Sequence, residues 1–347
     1  MAILSGTAGA APAVLAPVTS DQVPAWHSSK RSARRKRLAP DWPLTSLLVG
    51  LPIWWVLGLS EFCFIILAVP MAFHLVKRRP VRLPKGFAIW ALYLLWTVLS
   101  VLAIGWQAPG TLPSGSSKFI GYSLRLANYL AQTVVLLYVG NLSESESSRK
   151  GIVRMLSLLF VWTAAGGWLG IIAPHFNFSS PFELLLPHSL RQNPYVGYLV
   201  HPAASQVQTV LGYSSGRPKA PFSYTNVWGA NIAVLAVFFV LRFWTWGNRR
   251  QKMFAVAGCA LALVPAIYSL NRGLWVVGAV GVVYLAVRLA IRGHLGALFG
   301  VAGAVVLAAL VFSVSPLQNV ISQRLAHPES NGVRSTLTAS AVKGALA

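Results

Sequence analysis

Long apolar runs separated by short polar stretches occupy most of the chain from residue 43 onward. A membrane-crossing helix needs about 20 mainly apolar residues to traverse roughly 30 Å of hydrocarbon, and fewer when it is enclosed in a bundle. Nine runs fit: a pair at about 43–59 and 61–76, broken near Leu59-Ser60-Glu61, followed by about 87–105, 119–140, 152–173, 224–246, 253–269, 274–291 and 296–314. The pattern predicts an all-α, polytopic transmembrane helical bundle over residues 41–314, with a large loop at about 174–223 and a polar segment from 315 to 347. Residues 1–40, rich in Ala, Pro and Ser, read as a disordered basic arm. Their apolar stretch precedes the basic one, the reverse of a secretory signal.

Composition agrees with a bilayer: 55% of the 347 residues are hydrophobic and 10% charged, far from a soluble surface. The net charge of +22, from 29 Lys and Arg against 7 Asp and Glu, changes the picture more. Nucleic acid is one reading of such an excess, but the positions favour topology. Placing the N-terminus inside puts six cations of 30–37, five of 77–85, three of 149–154, four of 242–252 and two of 288–292 on the cytoplasmic side. Cytoplasmic loops retain Lys and Arg, so the N-terminus is predicted to be cytoplasmic and nucleic acid is not required. The remaining nine are Lys118, Arg125, Arg191, Arg217, Lys219, Arg272, Arg324, Arg334 and Lys343. Topology gives no reason for them.

Two segments among these nine concentrate polar chemistry. Arg217-Pro218-Lys219-Ala220-Pro221-Phe222-Ser223-Tyr224-Thr225-Asn226 leads into the run at 224–246. Tyr268-Ser269-Leu270-Asn271-Arg272-Gly273 forms a very short outer turn one hairpin later. Both Arg217 and Arg272 then lie at the outer interface, and two guanidinium forks suit a diphosphate because each binds phosphate oxygens bidentately. The ordinary alternative is that both snorkel to headgroups. In the run at 119–140, Tyr122, Arg125, Asn128 and Gln132 share one helix face. An Arg in a span costs about 2.5–3.5 kcal/mol on insertion scales and faces a cavity or partner. Arg125 is therefore a candidate for a lipid-linked phosphate, with interhelical hydrogen bonding the alternative. Gly166 with Gly170, and Gly296 with Gly300, have the spacing for close helix approach.

The order of these segments, and their spacing to the spans, resemble the O-antigen ligase and polymerase family of membrane glycosyltransferases. The likeness extends over most of the chain and includes Gln323-Arg324-Leu325 and Gly332-Val333-Arg334-Ser335. The resemblance implies transfer of a glycan from a polyprenyl-diphosphate carrier to a hydroxyl of a glycan, lipid or protein acceptor. That transfer would occur at the outer face of a bacterial plasma membrane, with inversion and without a metal or other cofactor. Arg217 and Arg272 resemble the two essential Arg residues, and Asn226 the polar residue where the span begins. Lys219 and Arg191 join Arg125 as further substrate-binding candidates in the outer segments.

Family members carry an essential His in a larger external loop beyond the point equivalent to Ala347, so the chain reads as ending before that loop. His327 is the candidate for the role in the outer segment present, with an ordinary surface His as the alternative. His175, His188 and His201 in the other outer loop have no better claim. A transporter or flippase of lipid-linked glycans, using the same cations without chemistry, stays open, as does an inactive, shortened family member. A transporter often shows a duplicated span pattern, and none is visible here.

Several chemistries lack their residues in this sequence. There is no GxxxxGK[ST] loop for ATP hydrolysis and no HExxH or clustered His and Cys for zinc. Cys63 and Cys259 both sit in apolar runs, so no disulfide framework is expected. The carboxylates expected outside, Glu61, Glu183 and Glu329, are scattered, which leaves hard cations without converging oxygens.

Overall fold

The computed structural model describes residues 39–78, 80–106, 117–209, 214–293, 296, 299, 300, 303 and 329–346. Residues 1–38 of the expected 1–40 arm and most of the run at 296–314 lie outside these, as do Arg324 and His327.

The protein is mainly helical. In chain order the helices are α1 (Trp42–Leu48), α2 (Leu51–Val56), α3 (Cys63–Lys77), α4 (Phe87–Leu99, extended by a 3₁₀ turn to Ala103), α5 (Ser117–Asn141) and α6 (Arg149–Ile172). Three short helices follow, α7 (Pro181–Leu185), α8 (His188–Arg191) and α9 (Pro194–Val200), and then strands β1 (Ser205–Thr209) and β2 (Ser214–Pro218). The chain continues with α10 (Thr225–Trp246), α11 (Arg249–Tyr268), α12 (Arg272–Ile291) and α13 (Glu329–Leu346).

Among the described residues three helices, α6, α10 and α11, are long and apolar enough to cross a membrane, while α3 and α4 are shorter apolar helices. Their outward faces suit lipid: Phe254 is 72% exposed and Val237 64%, and on α4 Ile89 is 77% exposed. Apolar surface of that extent is unusual against water.

The run expected as one span at 43–59 is not one helix. Pro52 has no amide hydrogen to donate, and its ring opposes the carbonyl four residues back, so α1 stops at Leu48 and α2 restarts at Leu51. At 15 residues, α3 measures about 22 Å, less than the hydrocarbon thickness. The all-α expectation also needs correction. The segment 174–223 is not a plain loop, since it contains α7, α8, α9 and an antiparallel hairpin that pairs Gln206 with Arg217. Elements of four to seven residues leave no readable period in a sequence.

The centre is α6 laid antiparallel to α10, with α11 beside both. Trp228, fully buried, donates from Nε1 to the Thr163 carbonyl at 2.9 Å. Phe160 stacks on Phe239 at 4.4 Å, and the Ser157 hydroxyl donates to the Phe238 carbonyl at 3.2 Å. The upper part of α6 is lined with glycine. A Cβ at Gly166 would lie 2.1 Å from the Ala220 carbonyl oxygen, one at Gly167 2.5 Å from the Trp228 ring, and one at Gly170 2.7 Å from the Ala204 carbonyl oxygen. The expected packing role of Gly166 and Gly170 is therefore filled within this chain, with Gly167 added. Gly296 and Gly300 have nothing within 4 Å.

These contacts give the bundle two distinct ends. One gathers the start of α1, the C-termini of α3, α5 and α10, and the N-termini of α6 and α11. There Tyr138 donates to the Pro40 carbonyl, and Asn141 exchanges two hydrogen bonds with the Arg82 backbone at 2.8 and 2.9 Å. Most of the loop cations sit at this basic end. A carboxylate there, Glu146, accepts from Arg78 and from the Ser143 hydroxyl and amide, with His74 at 3.9 Å. The opposite end carries the turn between α2 and α3, the segment 174–224 and the turn between α11 and α12.

Burial is the largest influence on Glu146 and opposes its charge, but Ser143 and Arg78 together outweigh it and hold the carboxyl down at about 2, against an ordinary 4.5. Because the folded value is the lower one, the ionised group stabilises the fold in full above about 4.5, and that contribution disappears as pH falls toward 2. Thermal melts of purified protein from pH 7 to 2 should show Glu146→Gln less stable than wild type at pH 7, with the two curves converging at the acid end. Separately, Gly170→Ala should lower stability by about 1–3 kcal/mol through overpacking against backbone, read as a lower melting temperature in detergent.

Candidate functional site

The segment after β2 is placed by backbone. Ala204 offers its carbonyl to the amides of Lys219 and Ala220 at 3.1 and 3.3 Å, and that carbonyl occupies the space left by Gly170. The amide of Phe222 closes the turn on the Lys219 carbonyl at 2.8 Å. Arg217 and Lys219 thereby leave the hairpin as two buried cations two residues apart, 8% and 5% exposed.

They have different surroundings. Arg217 donates from Nε to the Ser269 carbonyl at 2.7 Å, and its own carbonyl accepts from the Thr225 hydroxyl at 3.3 Å. Arg217 therefore ties the hairpin both to the start of α10 and to the turn carrying Arg272. That turn is strained. Leu270, buried, has φ +53, a left-handed conformation costing a branched side chain about 1–2 kcal/mol. Asn271 caps the next helix by accepting from the Leu274 amide at 3.2 Å. The result fixes Arg272 as the first residue of α12, half-buried. The two arginines singled out in the sequence are thus joined through one four-residue turn.

Lys219 points elsewhere. Its Nζ lies over the Tyr198 ring at 5.7 Å, and Tyr198 stacks on Tyr224 at 5.8 Å with an 11° tilt. Among the described residues its side chain has no hydrogen bond. Burial, the dominant influence, pulls its ammonium below the ordinary lysine value, and Glu61 acts in the opposite direction. Lys219 lines a narrow cleft of about 200 Å³, including the part open to solvent, with Gly58, Ser60, Tyr198, His201 and Ser223 among the walls. Gly58 has φ +77, and a Cβ there would strike Ser180 Oγ at 2.0 Å, so the α2–α3 turn closes on α7 only with glycine.

The wall of α7 to α9 is held by a pair that the sequence does not announce. Ser180 and Glu183 form a capping box on α7. Glu183 Oε2 then meets His201 Nδ1 at 2.9 Å, while His201 Nε2 meets Asn177 Oδ1 at 3.1 Å. The partners are 18 and 24 residues apart, and only closure of the loop brings them together.

The other candidates fall around this centre. Arg125, exposed on α5, is within electrostatic reach of Tyr224. Its helix neighbour Tyr122 donates to the Thr97 and Val98 carbonyls of α4 at 3.1 Å, and Asn128 donates to the Leu124 carbonyl of its own helix. Part of that polar face therefore serves helix packing. Arg191 is taken up by α7, donating from Nη2 to the Glu183 and Leu184 carbonyls at 3.2 and 3.0 Å. Asn226 is exposed in the first turn of α10. His175 and His188 are exposed, and His188 contacts Gln192 at 3.4 Å. Gly332 to Ser335 lies in α13.

This end of the protein therefore brings Arg217, Lys219 and Arg272 to one set of connected turns, with Glu61 and Glu183 among its carboxylates and Arg125 on α5 within electrostatic reach of Tyr224. Among the described residues no three of His, Cys, Asp or Glu come together. Such an arrangement can hold an anion of two or more charges and present stacked aromatic rings to a second group. His201→Ala should leave the α6–α10–α11 core intact but loosen 174–204, seen as faster limited proteolysis within that segment at unchanged overall helicity. Compared with models of protein families, with curated proteins and with solved structures, the chain matches none of them.

Proposed function

We propose that the protein is a multi-pass glycosyltransferase of the O-antigen ligase and polymerase type, working at the outer face of a bacterial plasma membrane. In this reading about nine spans cross the bilayer with the N-terminus inside, so the basic end faces the cytoplasm and the Arg217–Arg272 end faces out. The substrate is a glycan on a polyprenyl-diphosphate carrier, and the acceptor is a hydroxyl of a glycan, lipid or protein.

One observation carries the reading: of four cations that topology does not require, Arg217 and Lys219 are buried and Arg272 half-buried at the end of the bundle away from the basic loops, with Arg125 exposed on α5. Arg217, tied to the Ser269 carbonyl, sets the turn that presents Arg272. The diphosphate binds there, and the departing charge is neutralised by guanidinium groups fixed in advance, which costs no reorganisation during the reaction. Arg125 on the lipid-facing side meets the carrier first. The acceptor approaches over the Tyr198 and Tyr224 rings.

The test is reconstitution of the full chain in proteoliposomes with a polyprenyl-diphosphate oligosaccharide and an acceptor glycan. Wild type should form a new glycosidic product and release polyprenyl diphosphate. Arg272→Ala should cut the rate about 10²- to 10³-fold with an unchanged gel-filtration profile. Product at wild-type levels from Arg272→Ala would overturn the assignment, and donor relocation across the bilayer without product would make the protein a transporter.

A further inference from the structure

A transfer to a hydroxyl needs a group that accepts the hydroxyl proton, and the histidines on this side of the molecule are poorly placed to be that group. His188 and His175 are exposed, apart from the residues lining the cleft. His201 is in the cleft, but both of its ring nitrogens face acceptors, Glu183 Oε2 at 2.9 Å and Asn177 Oδ1 at 3.1 Å. The imidazole acts as a clamp and has no lone pair directed at the cleft.

Lys219 differs on every point. It is 5% exposed, has no side-chain hydrogen bond among the described residues, and lines the cleft between the α2–α3 turn and α9. Its backbone is fixed on both sides by Ala204 and Phe222, so the position is a built one. We propose that Lys219 Nζ is the proton acceptor for the incoming hydroxyl. This rests on the glycosyl-transfer reading above and adds the catalytic group that the reading lacks.

The step balances without a further reagent. The acceptor oxygen bonds to the anomeric carbon as its proton passes to the Nζ lone pair. The bond from that carbon to the diphosphate oxygen breaks, and the diphosphate leaves with the electron pair against Arg217 and Arg272. The Lys219 ammonium then returns its proton to water through the cleft. Glu61 on the α2–α3 turn is the charged group that acts on it; the other titratable groups nearby are Tyr198 and His201 from α9 and its end, and Tyr224 beyond. Arg217 lies two residues earlier and Arg125 faces Tyr224 from α5. Burial, the largest of the influences on Lys219, favours the neutral amine, and Glu61 opposes it. A partly exposed cation bound only to an anion would not need such burial.

Two measurements on the full chain in nanodiscs test this. The first is trace acylation of amines across pH 6 to 11, read by mass spectrometry. Lys219 should reach half-reaction at lower pH than the exposed Lys85 and Lys150; titration together with them, or no reaction at any pH, overturns the proposal. The second uses the product assay with Lys219→Arg and Lys219→Met. Arginine keeps the positive charge but does not deprotonate, so an anion-binding role predicts activity and a proton acceptor predicts its loss. Both variants should lower kcat about 100-fold or more with KM for the donor little changed, and Lys219→Met should fold at least as well as wild type. Retained kcat in Lys219→Arg overturns the assignment. Absence of product from wild type removes the glycosyl-transfer reading and this assignment with it, whereas loss confined to the acylation result removes only Lys219.

Discussion

The architecture depends on how closely backbone can approach the upper half of α6. Gly166, Gly167 and Gly170 cost that helix propensity, about 1 kcal/mol each relative to Ala, and in return three separate pieces of chain lie directly on it. The Ala220 carbonyl sits over Gly166, Trp228 and Pro265 over Gly167, and the Ala204 carbonyl with Pro218 over Gly170. Three of these neighbours, Ala204, Pro218 and Ala220, belong to the 174–224 segment, and one of them, the Ala204 carbonyl, holds the amides of Lys219 and Ala220. The backbone at Lys219 and Ala220 is therefore positioned by a helix long and apolar enough to cross a membrane. A methyl group on that face would push at once on the core and on the site.

Charge is arranged along the same axis. At the basic end the cations are solvated, offset by Glu146 and Glu144, or laid on aromatic rings, as Lys77 is over Phe73 at 4.1 Å and Lys252 over Trp244 at 5.5 Å. At the other end Arg217 and Lys219 are buried in positions where desolvation penalises the charge. Burial of a charge is expensive, and at Lys219, over the Tyr198 ring, it disfavours the ammonium, with Glu61 acting in the opposite direction. The strained Leu270 turn fits the same pattern: a conformation that is unfavourable alone is kept where it fixes Arg272.

The long elements were legible before the structure because a run of twenty apolar residues has few alternatives. The runs at 152–173, 224–246 and 253–269 correspond to α6, α10 and α11 within a few residues, and the polar face of 119–140 does lie on one helix, α5. What failed was local: Pro52 splits the first run, a clash that hydropathy averages away. The site was half legible. Arg217 and Arg272 stood out as cations that topology did not need, and Arg217 does reach the Ser269 carbonyl in the Arg272 turn. Arg191 stood out in the same way, yet its guanidinium serves the carbonyls of α7. The Glu183–His201–Asn177 clamp, the burial of Lys219 and the place of Gly167 were hidden, because each arises from closure of the 174–224 segment onto the bundle and none has a spacing of its own. Orientation of the two ends in a membrane was read from charge alone.

That orientation underlies the whole account, since chemistry on an exported lipid-linked glycan requires the Lys219 and Arg272 end to face outward. Single cysteines, Ser189→Cys at that end and Ser145→Cys at the basic end, in a chain with Cys63 and Cys259 replaced, test it in intact cells with a membrane-impermeant thiol reagent. The account predicts that the cysteine at 189 is labelled from outside and the one at 145 only after the membrane is opened. Labelling of 145 in intact cells, with 189 protected, would contradict it.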